Sequence, residues 1–321
     1  MKKISFVIPC FRSEHTISRV VAEIQETMAR VGNAQEYEII LVNDCSPDAT
    51  FGVIQELCRK RRNIIGLSLA RNSGQASATL AGFAQARGDI IVYADDDGQT
   101  PIDEVFKLID KLGEGYDVVF GKSRRRNGLV QSIGGRINDA MASYLIGKPK
   151  GLQLGNFWVG RRFVVEEAIK CKNPFPYIGG LLLSVTRNMA DVSVESRERL
   201  YGESNYTLRK MISLWLNGFT AFSVKPLRVA TLAGILSSIS GFVYMLVLIT
   251  MKIRYPSIPM GYSSIMSMLL FIGGMLMLIL GLCGEYIGRI YININSIPQY
   301  VVRDVVRSRE ANARPNADLR V

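Results

Sequence analysis

The sequence predicts an α/β fold: a doubly wound, mostly parallel sheet, followed by an amphipathic interfacial helix and two transmembrane helices. Three observations carry this. Strand-like and helix-like apolar patterns alternate through the first 120 residues. Three of the four strand runs there end in polar, potentially reactive side chains. Late in the chain, 23 residues from Val229 to Met251 and 25 from Met260 to Gly284 pass without a single charge.

The elements follow in order. Ile4–Pro9 is a short strand-like run ending at a proline. Thr16–Val31 places Ile17, Val20, Val21, Ile24 and Met28 at helical spacing. Tyr37–Val42 is a second strand, stopped by the turn-rich Asn43-Asp44-Cys45-Ser46-Pro47-Asp48. Ala49–Arg59 is helical, Ile64–Leu69 a third strand and Gln75–Ala86 a third helix. Asp89–Ala94 is a fourth strand that runs into a cluster of acids, before a helix at Ile102–Leu112. Alternation at this spacing means βαβ units, and ligands of such sheets bind at the carboxyl ends of the strands.

The stretch from about 121 to 200 is less regular, with basic clusters at Lys122, Arg124–Arg126 and Arg161-Arg162 and a helix at Arg136–Ile146. Over Tyr206–Val224, Leu208, Met211, Ile212, Trp215, Leu216, Phe219 and Phe222 fall broadly on one side of a helix, and Arg209 and Lys210 lie off it. This suits a helix lying in a membrane interface or one facing a core. A bilayer core needs about 20 apolar residues per helix, so the two uncharged runs read as spans rather than core helices. The division expected is 1–204 soluble domain, 205–226 interfacial helix, 227–288 two spans, and 289–321 a polar tail, disordered after Arg309.

Met1-Lys2-Lys3 is basic, but Ile4–Pro9 is too short for the apolar region of a signal peptide. The soluble domain is therefore expected to stay in the cytoplasm. The loop between the spans carries only Lys252 and Arg254, whereas Arg209, Lys210, Lys225, Arg228, Arg289, Arg303, Arg307 and Arg309 flank the outer ends, which puts both termini in the cytoplasm. The net charge of +11 suits an anionic bilayer surface. Five cysteines without metal spacing read as free thiols, and the one histidine, His15, makes a His-based metal site or a Ser-His-Asp triad improbable. No G-x-G-x-x-G follows the first strand, which disfavours a dinucleotide-dependent dehydrogenase.

The chemistry sits at the strand ends. Asp95-Asp96-Asp97-Gly98-Gln99 follows a buried strand directly. Carboxylates this close raise one another's pKa unless a cation lies between them, and oxygen-only ligands suit Mg²⁺ or Mn²⁺. Asp95, Asp97 and Gln99 alternate, so in extended backbone they share a face. A solvated acidic loop that caps the Ile102–Leu112 helix is the competing reading. Asp44 can accept a hydrogen bond from a base N–H or simply build its own turn. Arg71-Asn72-Ser73-Gly74-Gln75 opens a helix whose free N–H groups could face a phosphate.

In their order and spacing these stretches resemble family 2 inverting glycosyltransferases, and among them the polyprenyl-phosphate glycosyltransferases. The resemblance covers about 3–305 and rests on Ile8-Pro9-Cys10-Phe11, Val42–Ser46, Arg71–Gln75, Asp95–Pro101, Tyr116–Val119 with Gly121 and Arg124, Arg199–Tyr206 and Gly284–Tyr291. It implies a glycosyltransferase A type sheet, with Pro9, Phe11, Glu14, Asp44, Asp95 and Arg124 as the nucleotide pocket. Asp95, Asp97 and Gln99 are implied around an Mg²⁺ or Mn²⁺ ion, and Arg199, Ser204 and Tyr206 at the acceptor phosphate. The implied partners are a UDP-sugar, undecaprenyl phosphate and the bacterial inner membrane, with no nucleic acid. Gly273-Gly274 and Gly281 offer close-approach surfaces for a homo-oligomer, though small residues are common in such helices.

The chain departs from the pattern in places. Gln153 aligns where relatives carry an aspartate often taken as the base, Gln131 and Gly135 replace an Arg and a Ser, and Arg12 stands where Asn is usual. A phosphate acceptor is already anionic and needs positioning more than deprotonation. The catalytic set that the resemblance implies is Asp97 and Arg199, with Gln153 at the position of that aspartate. A transferase acting on a lipid hydroxyl, or a non-catalytic nucleotide-sugar-binding homologue, are the competing functions.

Overall fold

The structure is a computed structural model, and it describes residues 2–30, 36–123, 143, 147–149, 151–172, 176–195, 225–255, 261–294 and 298–308. The chain divides into two compact units, Met1–Gly218 with Pro298–Val321, and Phe219–Ile297. The helices expected at Arg136–Ile146 and Tyr206–Val224, and the tail after Arg309, lie outside the described residues apart from position 143.

The first unit is built on an eight-stranded sheet. In chain order the elements are β1 (Ile4–Cys10), α1 (Ile17–Arg30), β2 (Tyr37–Asn43), α2 (Thr50–Lys60), β3 (Ile64–Leu69), α3 (Gln75–Phe83) and β4 (Ile90–Tyr93). A 3₁₀ turn, Ile102–Glu104, leads into α4 (Val105–Gly113). Then come β5 (Val118–Ser123), β6 (Trp158–Arg161), α5 (Arg162–Ala168), α6 (Ile178–Val185) and β7 (Met189–Val194). The second unit holds α7 (Lys225–Arg254) and α8 (Tyr262–Ile294), and β8 (Val302–Val306) follows. Spatial order is β7-β5-β6-β4-β1-β2-β3-β8.

The central strands β4-β1-β2-β3 are all parallel, with β1 and β2 in register from Ile4↔Tyr37 to Cys10↔Asn43. β1 and β3 are buried throughout, as parallel strands covered on both faces must be. The apolar stripe of α1 (Ile17, Val20, Val21, Ile24, Met28) joins the core with Ile8, Leu41, Ile54 and Leu108. On the other side β6 runs antiparallel to β4 and β5. Trp158, fully buried, stacks on Tyr93 and meets Phe83 edge-on.

Two features depart from the sequence expectation. β8, within the stretch expected to be a tail, pairs antiparallel with β3 from Gly66↔Val306 to Leu69↔Val302 and so covers β3 as the edge strand of the sheet. Asp95–Gln99 is not extended: Gly98 has φ +73° and the Gln99 N–H turns back onto Asp97 Oδ1 at 3.0 Å. The shared face expected from strand alternation is therefore absent there.

In the second unit, α7 and α8 are, among the described residues, two helices long and apolar enough to cross a membrane, over Ala230–Met251 and Phe271–Gly288. Leu232, Ile239, Phe242, Leu269 and Met277 are exposed, unlike the covered face of a soluble helix. The Thr231, Ser240 and Thr250 hydroxyls donate to carbonyls four residues earlier, which satisfies these three donors within the helix. Gly234 and Gly241 of α7 face Ile279 and Met268 of α8. A Cβ at Gly273, Gly274 or Gly281 would meet nothing within 4 Å among the described residues, so these glycines do not mark a close approach of α7 to α8 there.

Candidate active site

The loops that follow β1, β2 and β4 converge at the carboxyl edge of the parallel strands. Each is shaped by a polar residue that reaches to a neighbouring loop.

After β1 the chain turns at Arg12, which takes φ +58°. That left-handed conformation is one that Asn tolerates and Arg adopts at a cost. The turn is held from outside: the Arg12 N–H donates to Ser46 Oγ at 2.9 Å and the Ser13 N–H to Thr50 Oγ1 at 2.8 Å. Asp96 Oδ2 accepts the Phe11 N–H at 3.0 Å and also the Ser13 hydroxyl. Phe11 itself is exposed, with the Arg12 guanidinium over its ring, whereas Pro9 is buried within β1. Glu14 Oε2 accepts the Ala49 N–H at 2.9 Å, at the start of α2.

Asp44, after β2, is buried. Its Oδ1 accepts the Ser73 N–H at 2.7 Å and its Oδ2 the Gly74 N–H at 2.9 Å, so it caps the turn into α3 rather than building its own turn. Local turn chemistry falls instead to Asn43, whose Oδ1 accepts the Ser46 N–H. Each Asp44 oxygen keeps a second lone pair for a further donor. Burial pushes the Asp44 carboxyl up, against the two backbone donors that lower it.

Asp95 is clasped from three sides. Its Oδ1 accepts Gln75 Nε2 at 2.7 Å and the Tyr93 hydroxyl at 3.2 Å, and its Oδ2 accepts Asn156 Nδ2 at 3.1 Å. Burial is the main cause that raises its pKa to about 7, with Asp97 and Asp96 adding to it and the Asn156 and Tyr93 hydrogen bonds opposing. Asp96 is raised by burial as well. No acid of this cluster caps the 3₁₀ turn or α4, so the capping alternative finds no support.

Gln153 lies on the segment that leads to Asn156 and β6. Its N–H donates to Asp191 Oδ2 of β7 at 3.0 Å, and the residue is exposed. Arg124, Arg199, Ser204 and Tyr206 lie outside the described residues. Among the described residues no three His, Cys, Asp or Glu are grouped to hold a metal alone. A hard cation that takes one or two carboxylates and completes its shell with phosphate and water does not need such a group. Asp97 and Gln99 offer the oxygen chemistry, while the Asp95 oxygens already take three donors. Gln75, Tyr93 and Asn156 carry no charge and are not among the expected site residues; only the Arg71–Gln75 stretch points near this cluster.

Comparison with known proteins decides the family. Residues 5–169 match Glycosyl transferase family 2. The chain belongs to that family. Residues 225–290 match the GtrB C-terminal hairpin, over α7 and α8, and the two matches together make this a family 2 glycosyltransferase of the polyprenyl-phosphate type. An uncharacterized glycosyltransferase, YkcC, of Bacillus subtilis strain 168 is 35% identical over 305 residues, 93% of each chain. An undecaprenyl-phosphate 4-deoxy-4-formamido-L-arabinose transferase of Photorhabdus laumondii is 31% identical over 317 residues, 97% of each chain. Among solved structures, glucosyl-3-phosphoglycerate synthase from Mycobacterium tuberculosis has a TM-score of 0.49 at 20% identity, covering 69% of this chain and 78% of that one. In this glycosyltransferase the sheet is of the A type expected from the sequence.

Proposed function

We propose that this glycosyltransferase moves a sugar from a UDP-sugar to undecaprenyl phosphate, with inversion, at the cytoplasmic face of the bacterial inner membrane. The observation that carries the reading is the match, over 97% of both chains, to a transferase named for undecaprenyl phosphate. The convergence of Asp44, Asp95 and Asp97 at one sheet edge supports it.

On this reading Phe11 offers a ring to the base, Asp44 takes a base N–H, and Asp95, fixed by Gln75 and Asn156, faces the ribose. Asp97 and Gln99, with Asp95 beside them, would hold Mg²⁺ or Mn²⁺, which when bound neutralises charge on the departing diphosphate. Arg124 binds a donor phosphate, and Arg199, Ser204 and Tyr206 the acceptor phosphate. A phosphate oxygen attacks the anomeric carbon as the bond to the UDP oxygen breaks. UDP leaves with that electron pair, and no proton must move in the step. α7 and α8 span the membrane with both termini cytoplasmic, which brings the lipid phosphate to the site.

The test is turnover by the full chain in detergent with undecaprenyl phosphate, Mg²⁺ or Mn²⁺ and a panel of UDP-sugars, read as UDP release and lipid mass. UDP release that needs both lipid phosphate and Asp97 is expected, and the lipid mass names the sugar. Tight UDP binding without turnover on any lipid phosphate sinks the reading.

A further inference from the structure

The turn formed by residues 70–75 presents Ser73 and Gly74 to Asp44 and Gln75 to Asp95. Its other flank is held by chain that arrives from the far end of the sequence. The Ala70 N–H donates to the Val301 carbonyl at 2.8 Å. The Arg71 guanidinium donates through Nη2 to the Pro298 carbonyl at 3.0 Å, across 227 positions. The same returning segment is anchored elsewhere too. Gln299 Nε2 donates to the Cys171 carbonyl at 2.9 Å, and Arg307 Nη2 to Gln85 Oε1 at 3.2 Å, just past the end of α3. Residues 298–308 therefore brace α3 at both ends, while β8 pairs with β3, the strand that feeds the turn.

The turn needs such a brace. Gly74 sits at φ +85°, and no side chain of the turn caps α3. The direction of the first free N–H groups of α3 thus depends on what holds 70–73 in place. The donors to Asp44 and Asp95 belong to other segments, so residues 298–308 act on these carboxylates only through the turn.

We propose that Arg71 is a positioning residue, through which the returning segment 298–308 holds the 70–75 turn in its donor-binding form. The effect on the donor rests on the reading of Asp44 and Asp95 as the donor site. The effect on the turn does not.

The test uses the full chain in detergent, with Arg71→Ala, Arg71→Lys, a stop after position 297, and the stop combined with Arg71→Ala. Hydrogen exchange of the Ser73 and Gly74 amides is read first, then UDP affinity. Loss of the brace opens the turn locally, so Arg71→Ala should speed exchange in 70–75 by about tenfold and leave β1 and β2 unchanged. Arg71→Lys should recover part of the protection. UDP affinity should fall in parallel, and Arg71→Ala should add nothing in the truncated chain, because both changes break one link. Unchanged exchange in Arg71→Ala overturns the proposal. Additive losses of UDP affinity overturn it too, since Arg71 would then touch the donor itself. If the truncated chain does not fold, Gln299→Ala replaces it: faster exchange in 70–75 supports the brace and unchanged exchange overturns it. Faster exchange in a protein that never bound UDP leaves the brace standing and removes the donor reading.

Discussion

Asp44 and Gly74, 30 positions apart, meet as a buried carboxylate and a helix-opening amide, with the Gly74 N–H on Asp44 Oδ2 at 2.9 Å and the Ser73 N–H on Oδ1 at 2.7 Å. One side chain thus ties the end of β2 to the start of α3. Asp44→Ala removes the acceptor of two part-buried hydrogen bonds and should cost about 1–3 kcal/mol, since each such bond is worth about 0.5–1.5 kcal/mol net. Asp44→Asn keeps one acceptor and should cost less. Thermal melts in detergent, with and without UDP, check both. The stabilisation by UDP should shrink in Asp44→Asn and vanish in Asp44→Ala.

Asp95 sets a pH dependence. Its pKa rises to about 7 in the fold, chiefly through burial, from an ordinary value near 3.8. The folded chain therefore binds this proton more tightly than the unfolded chain. The contribution to stability is fully present below about pH 4 and is lost as pH rises through about 7. Asp95→Asn removes the titration, and the Asn156 amide can turn to offer its oxygen to the new amide. The melting temperature of Asp95→Asn, measured against the unsubstituted chain, should therefore climb between pH 5 and pH 8. A difference that stays flat would mean that Asp95 titrates as an ordinary carboxylate.

Asp96 and Asp97 are neighbours with separable jobs. Asp96 holds the turn after β1 through the Phe11 N–H and the Ser13 hydroxyl, whereas Asp97 accepts the Gln99 N–H within its own loop. Asp96→Ala should lower stability by about 1–3 kcal/mol. Asp97→Ala should abolish the Mg²⁺ or Mn²⁺ dependence of UDP binding and lower turnover by about 100-fold or more. Calorimetric titration of UDP with and without the cation separates the two variants.

How much of this could be read beforehand follows from the range of the interactions. β1 to β4 and α1 to α3 were legible because their apolar periods are local and their turns carry Gly, Pro, Asn and Asp. β8 was not, because its partner β3 lies more than 200 positions away and its own five residues alternate weakly between charged and apolar. β6 was missed for a related reason, since Trp158 belongs to an aromatic cluster assembled from β4, β5 and α3. At the site, the acids were legible because their charge is conspicuous in any apolar context. Gln75 and Asn156 were not, because an amide becomes informative only once a carboxylate is found in its reach.

Gln153 is held by its backbone, through the N–H to Asp191 at 3.0 Å, so its placement does not depend on its side chain. The exposed side chain should tolerate Gln153→Ala with a stability change within about 0.5 kcal/mol. A phosphate monoester has a second pKa near 6 and is largely dianionic at pH 7, so the acceptor oxygen needs no base at this position. Turnover of Gln153→Ala should accordingly stay within about threefold of the unsubstituted enzyme if positioning dominates. Gln153→Asp introduces a negative charge where an anionic acceptor must dock. KM for the lipid phosphate should rise several-fold, and added salt should relieve the rise because exposed charges are screened. A tenfold fall in kcat for Gln153→Ala, with KM unchanged, would instead give the amide itself a part in the reaction and end the view that a phosphate acceptor makes this position dispensable.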